Sequence, residues 1–240
     1  ITPSDLANYR PVWRTPIEFE YRKHRVVSMP PASSGGLTLA LILGVVGQRD
    51  IASLGWRTAA SIHLLAEAER RAFARRNALL GDPAFGPIAT ASFLSPDTAA
   101  ALSAEITERA STTPVAPTAK EPRHTTHFSV VDARGNAVSL TTTLNESYGA
   151  AFTVAGAQFL LNDEMDDFTT KPGAVNAMGL VQGERNAIAP GKRMLSSMTP
   201  TLVLDSTGAI TLVTGAAGGA YIITGVAHQI VSLLDFHTSL

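Results

Sequence analysis

The chain of 240 residues contains no cysteine. That excludes disulfides, thiolate zinc sites and a cysteine nucleophile, and it fits any redox compartment. Charge is scarce too: 16% of the residues are Asp, Glu, Lys or Arg, and the net charge is −1. Such a balance offers no electrostatic footprint for nucleic acid. No apolar run approaches the ~18–20 residues that a membrane-spanning helix needs. No charged-then-apolar leader is visible at Ile1, which leaves a leader further upstream open. What the chain does have is apolar surface, 45% of its residues, enough at this length to bury a sizeable core as one or two domains.

The most informative stretch runs from Arg123 to Asn145 (RHTTHFSVVDARGNAVSLTTTLN). A Pro-punctuated, Thr-rich segment without apolar period (STTPVAPTAKEP) precedes it and is expected as an exposed loop. The text then alternates, Phe128 and Val130 on one side of a turn, Val138 and Leu140 on the other, which predicts a two-stranded ribbon. Asp132 to Asn136 is its hairpin punctuation, with Gly135 and Asn136 able to take positive φ. A tight hairpin would return Thr141, Thr142 and Thr143 close to the Thr125–Thr126 pair at the junction. Taken alone, a threonine pair at the start of a strand is only a β-former.

Elsewhere the punctuation is plain. Ser4 and Asp5 are cap candidates for a short helix that ends by Tyr9-Arg10-Pro11, because a residue before proline leaves αR. Ser33-Ser34-Gly35-Gly36 reads as a turn that sets a buried helix (37–46) against a sheet. It has neither the lysine nor the spacing of a phosphate loop. Arg57–Asn77 predicts a long helix with Ala59, Ile62, Ala66 and Phe73 as its apolar stripe and Arg70, Arg71, Arg75 and Arg76 in its later turns. Glu69 falls on that stripe and is expected to pair with a neighbouring arginine. His63 reads as structural, since only Glu67 lies at the spacing of a second ligand. Ser95-Pro96 caps a further helix whose buried face carries Leu102 and Ile106. Gln158–Leu161 is expected as a short strand leading into the acidic cluster Asp163, Glu164, Asp166 and Asp167. Spacing alone leaves that cluster open between a solvated loop and a cation site; the calcium-loop pattern is missing. Thr169–Gln182, rich in Gly, Pro and Ala, is expected as a mobile loop over a site. A second hairpin (201–204 with 210–213) then leads through Gly215, Gly218 and Gly219 into the apolar helix Tyr221–Leu234. Glycines at a helix start can offer N–H groups to an anion or allow close packing.

Taken together, TTHFSVVD, GNAVSLTTTLN, LLNDEMDDF, PGKRMLSSMTPT and VTGAAGG, in that order, resemble the γ-glutamyltransferase (γ-glutamyltranspeptidase) family of N-terminal-nucleophile (Ntn) hydrolases. VVSMPPASSGGLTLA and AEAERRAFARRNALLGDPAF extend the resemblance over nearly the whole chain. It implies an α/β (α+β) fold, the four-layer αββα sandwich, of which this would be a part. It also implies autocatalytic cleavage between His124 and Thr125. Residues 1–124 would then be the end of a large subunit and 125–240 a small subunit, the two forming a heterodimer. A periplasmic or secreted location comes with the same resemblance, and neither metal nor cofactor is implied.

The resemblance also distributes roles. Thr125 matches the nucleophile and Thr143 the threonine that orients it. A freed α-amino group, with a reference pKa of ~7.7–8.0, supplies the base that a threonine hydroxyl needs. Asn145, Glu164 and Asp167 match the positions for the substrate's ammonium group, Ser196 and Ser197 those for its α-carboxylate. Gly218 and Gly219 match the oxyanion hole. The expected substrates are γ-glutamyl amides such as glutathione, with water or an amino-acid or peptide amine as acceptor. Two departures matter: the family's carboxylate-gripping arginine lies upstream of these residues and its C-terminal tail beyond them. Met178 stands where some members carry an aromatic residue, so hydrolysis is expected to prevail over transfer. One alternative is an Ntn acylase for glutaryl or cephalosporin amides, against which Glu164 and Asp167 argue, because a glutaryl group has no ammonium. The other is a truncated, non-catalytic fragment, which would never split.

Overall fold

A computed structural model describes residues 2–111, 125–174 and 180–238. The Thr-rich segment at 112–122, His124 and Met178 therefore lie outside the described residues. No helix of the described residues is long and apolar enough to cross a membrane.

Helix α1 (Pro3–Asn8) is capped two residues before Ser4, by Thr2 in a capping box with Asp5. Strands β1 (Ile17–Tyr21) and β2 (His24–Ser28) form a hairpin that leads into helix α2 (Gly35–Gly47). The sequence GGLTLALILGVVG is apolar all round, so α2 is buried on nearly every side and forms the axis of the molecule. It can sink that deep because Gly35 and Gly36 have no side chain. A Cβ on Gly35 would lie 2.5 Å from the Met198 carbonyl oxygen, and one on Gly36 2.5 Å from that of Met29. Around α2 pack α3 (Ala59–Leu79), α4 (Thr90–Leu94), α5 (Pro96–Ala104) and α6 (Tyr221–Leu234).

Helix α3 runs where it was expected, but its buried face is different. Ile62 is 55% exposed, while Leu64, Ala68, Ala72 and Arg76, four apart, face the core. Nor is Glu69 the arginine-paired carboxylate, since it meets His228 Nε2 at 2.7 Å. That part belongs to Glu67, buried beside Arg70 and Arg71 and accepting the Ser111 N–H. Polar groups this deep must be matched by partners, and Arg70 and Arg71 both lie one turn further along the helix from Glu67. His63 is structural, as expected: its Nε2 donates to the Thr107 carbonyl at 2.7 Å.

The four-stranded antiparallel sheet has the order β1-β2-β5-β6, with β5 at Thr201–Leu204 and β6 at Ile210–Thr214. It draws two strands from each side of residue 125, so both segments contribute to one core. The ribbon of β3 (Thr126–Val131) and β4 (Ala137–Thr142) forms a second sheet. Ser129 Oγ donates to the Val213 carbonyl (3.0 Å) and Ser139 Oγ to that of Thr214 (2.8 Å), which moors the ribbon beside β6. Its turn uses Gly135 at φ +83°, whereas Asn136 keeps a negative φ and donates its amide to Asp132 instead. Residues 158–161 form no strand. They close a small loop through the Thr153–Leu160 bridge, because Gly156 and Gln158 both turn the backbone to positive φ.

Candidate active site

The register of the ribbon decides what stands at its open end. Thr126 pairs with Thr142 and Phe128 with Leu140, so Thr125 emerges opposite Thr143. The Thr125 hydroxyl points at Thr143 Oγ1, 3.5 Å away, and Thr143 Oγ1 also accepts the Asn145 N–H at 2.9 Å. Asn145 makes that contact from a left-handed backbone (φ +77°), a conformation asparagine tolerates better than most residues. Its side-chain amide donates to the Asp163 carbonyl at 3.3 Å.

Thr125, Thr143 and Asn145 line one cleft together with Glu164, Asp167, Ser196, Ser197 and Gly219. Of the nine residues singled out in the sequence, eight thus share one cavity wall. Gly218 is the exception: it is buried one residue behind Gly219, at φ +117°, where the backbone turns into α6. Gly219 follows at φ +55°.

The acidic cluster is not a solvated loop. A 3₁₀ turn (Glu164–Asp167) turns two of its four carboxylates inward; Glu164 is only 9% exposed. Burial and the neighbouring Asp167 carboxylate push the Glu164 carboxyl well above the usual range. Burial does the same to Asp167, opposed by a hydrogen bond from Glu164 and by the nearby Arg76 charge. Two carboxyls this close in a poorly solvated wall resist losing both protons.

The serine side of the cleft is held from behind. Ser33 and Ser196 form a parallel bridge, and the Ser34 hydroxyl and N–H both donate to the Ser196 carbonyl, at 2.7 and 2.8 Å. The SSGG turn therefore clasps the segment that carries Ser196 and Ser197, besides starting α2. The loop over 169–182 is anchored at both ends: Gly173 N–H donates to the Gln182 carbonyl at 3.0 Å, and Thr169 and Gln182 are buried. Leu180 and Gln182 line the cleft.

One cleft residue escaped the sequence reading. Arg76 reaches the wall from α3 with 1% exposure. In the sequence it stands among the cations of the helix's later turns, but Leu64, Ala68 and Ala72 precede it at intervals of four. That spacing puts Arg76 on the buried face, and it was present in the sequence.

A family model described as gamma-glutamyltranspeptidase matches residues 1–240. The glutathione hydrolase proenzyme of Pseudomonas aeruginosa is 45% identical over 247 residues, covering 100% of this chain and 43% of that protein. The acylase ACY 1 proenzyme of Pseudomonas sp. (strain SE83) is 36% identical over 241 residues, 100% of this chain and 41% of its own. Among solved structures, the cephalosporin acylase from Bacillus halodurans matches with a TM-score of 0.76 over 99% of this chain and 41% of that one. At 24% identity that likeness bears on the fold alone. The chain spans about two fifths of the length of these curated relatives.

Proposed function

This chain belongs to the gamma-glutamyltranspeptidase family of Ntn hydrolases, and from that premise we propose that it carries the acyl-transfer centre of a γ-glutamyl hydrolase, with Thr125 as nucleophile. The observation that carries the reading is the company Thr125 keeps. Its hydroxyl shares one cleft with a carboxylate pair, Glu164 and Asp167, and a hydroxyl pair, Ser196 and Ser197. A γ-glutamyl group presents one ammonium and one carboxylate at the end remote from its amide. Carboxylates suit the first and hydroxyl donors the second. Asn145 donates its amide nitrogen to Asp163, which leaves its side-chain oxygen as a further acceptor for the ammonium.

The chemistry follows from the same atoms. Cleavage of the His124–Thr125 bond frees the Thr125 α-amine, which takes the hydroxyl proton as Oγ1 attacks the γ-carbonyl carbon. Thr143 fixes the direction of that hydroxyl. The oxyanion of the tetrahedral intermediate is received by the backbone at Gly218 and Gly219. The C–N bond then breaks, the amine leaves with the proton, and a γ-glutamyl ester stays on Thr125. Water or an acceptor amine attacks the ester and returns the oxygen to its resting state.

The acylase relative keeps a second reading in view, since a glutaryl amide fits the same nucleophile. The two buried carboxylates favour the γ-glutamyl group, because nothing on a glutaryl chain neutralises them. The test is turnover of matched γ-glutamyl and glutaryl chromogenic amides by the full-length protein, with intact mass recorded alongside. The reading expects a preference for the γ-glutamyl amide and a new N-terminus at Thr125. A preference for the glutaryl amide would reverse it, and a chain that stays whole yet turns over would remove the α-amine as base.

A further inference from the structure

Arg76 is a buried guanidinium with an unusual set of partners. Nη2 donates to Ser197 Oγ at 2.9 Å, Nε to Ser34 Oγ at 2.8 Å and Nη1 to Asn77 Oδ1 at 2.9 Å. All three acceptors are neutral. The Phe73 ring lies 5.7 Å from its central carbon and covers one face. Burial pulls its pKa down, to about 10, with Asp167 pulling the other way, so the group remains a cation at neutral pH. A charge in such a place is costly to bury unless an anion answers it. Asp167 is the anion within electrostatic reach, and it belongs to a pair that is itself occupied with a proton or an ammonium ion.

The hydrogen bonds lead from Arg76 to both serines of the cleft. Ser197 Oγ accepts directly from the guanidinium. Ser34 Oγ accepts from Nε and donates its own O–H to the Ser196 carbonyl at 2.7 Å. A serine hydroxyl has one proton to give. With Arg76 donating to the Ser197 oxygen, that proton is left to point away from the guanidinium, toward the cleft.

We propose that Arg76 is the positioning residue of the carboxylate subsite. It holds Ser197 and, through Ser34, Ser196 in donor geometry, and places a positive charge behind them, so that the group they accept is an anion. This deepens the γ-glutamyl reading above and rests on it: the anion would be the substrate's α-carboxylate. It also gives the chain a cation of its own at that end of the site.

The test is competitive inhibition of a γ-glutamyl chromogenic amide, in the full-length protein, by glutamate and by 4-aminobutyrate, which keeps the ammonium but lacks the α-carboxylate. Arg76→Met should raise the inhibition constant of glutamate about tenfold or more, the size of one lost charged hydrogen bond, and leave that of 4-aminobutyrate within about twofold. Arg76→Lys keeps the charge and loses the second arm, so it should restore part of the discrimination, and it serves if the Met variant does not fold. Equal losses for the two inhibitors, or a fall in kcat with both constants unchanged, would reduce Arg76 to a structural role. No turnover of the γ-glutamyl amide by the unsubstituted protein would instead overturn the reading on which this one rests.

Discussion

Thr125 Oγ1 lies 3.5 Å from Thr143 Oγ1, across the open end of a hairpin whose register alternates side chains between two faces. A slip of one residue would send Thr143 to the far face and leave Thr125 without its neighbour. The distance is long for a hydroxyl pair, and the proposed cleavage before Thr125 would give that residue the freedom to close it. Thr143→Ala should therefore lower kcat on the order of 10²-fold through misaimed attack. KM should change little. Steady-state kinetics on the γ-glutamyl amide separates the two; a change confined to KM would make Thr143 a binding residue.

Glu164→Gln and Asp167→Asn each remove one ionisable carboxyl from a wall that is largely shielded from water. Losing a partner of a desolvated charge pair costs roughly 2–5 kcal/mol. KM for the γ-glutamyl amide should rise about 30-fold or more, and that for a glutaryl amide should stay level or fall. Equal rises on both amides would assign these carboxylates to the fold rather than to recognition.

The same pair sets a pH dependence whose sign is fixed by its environment. Both carboxyls have folded-state pKa values raised above their unfolded values. Their contribution to stability is thus full below about pH 4 and is lost as pH rises through the raised values. An ammonium ion needs the ionised form, so its binding expels the shared proton. KM for the γ-glutamyl amide should fall as pH rises from about 6 to about 8. KM for the glutaryl amide should not. A flat γ-glutamyl profile would mean that the ammonium is bound elsewhere.

Away from the cleft, Asp235 closes the molecule at the end of α6. Its carboxylate accepts from Tyr21 Oη and Arg22 Nε, both at 2.7 Å, and it is buried, while Arg22 is one-third exposed. Burial and the Asp235 charge together push the Tyr21 phenol far up. Asp235→Ala strands that buried hydroxyl and should cost about 2 kcal/mol, most of it from Tyr21. Urea unfolding of the variant measures it, and an unchanged midpoint would show that water replaces the carboxylate.

Much of this was legible in the sequence because punctuation and period are local. The Asp205–Gly208 hairpin, the helix Tyr221–Leu234 and the Ser95 cap were all marked by residues that act on their own neighbours. The face of α3 was harder to place, because Ile62 and Leu64 both offered a stripe and only packing against α2 chooses between them. Burial of the acidic turn was likewise hidden. Nothing in Asp163 to Asp167 says which two carboxylates turn inward; the hydrogen bonds of Glu146 to Asp163 and of Asn145 to its carbonyl, made across the fold, decide it. Arg76 was missed for the same reason as the α3 stripe. Its charge suggested the surface, and its spacing from Ala72 the core.

The central claim is that the acyl group passes through Thr125 Oγ1. It is tested most directly by acid-quenching the full-length protein during turnover of a γ-glutamyl amide and mapping the adduct by peptide mass spectrometry. The account predicts one added γ-glutamyl group, on the peptide that begins at Thr125 and on no other. An adduct on any other residue, or an unmodified Thr125 peptide at the quench of a working enzyme in which an ester accumulates elsewhere, would contradict it.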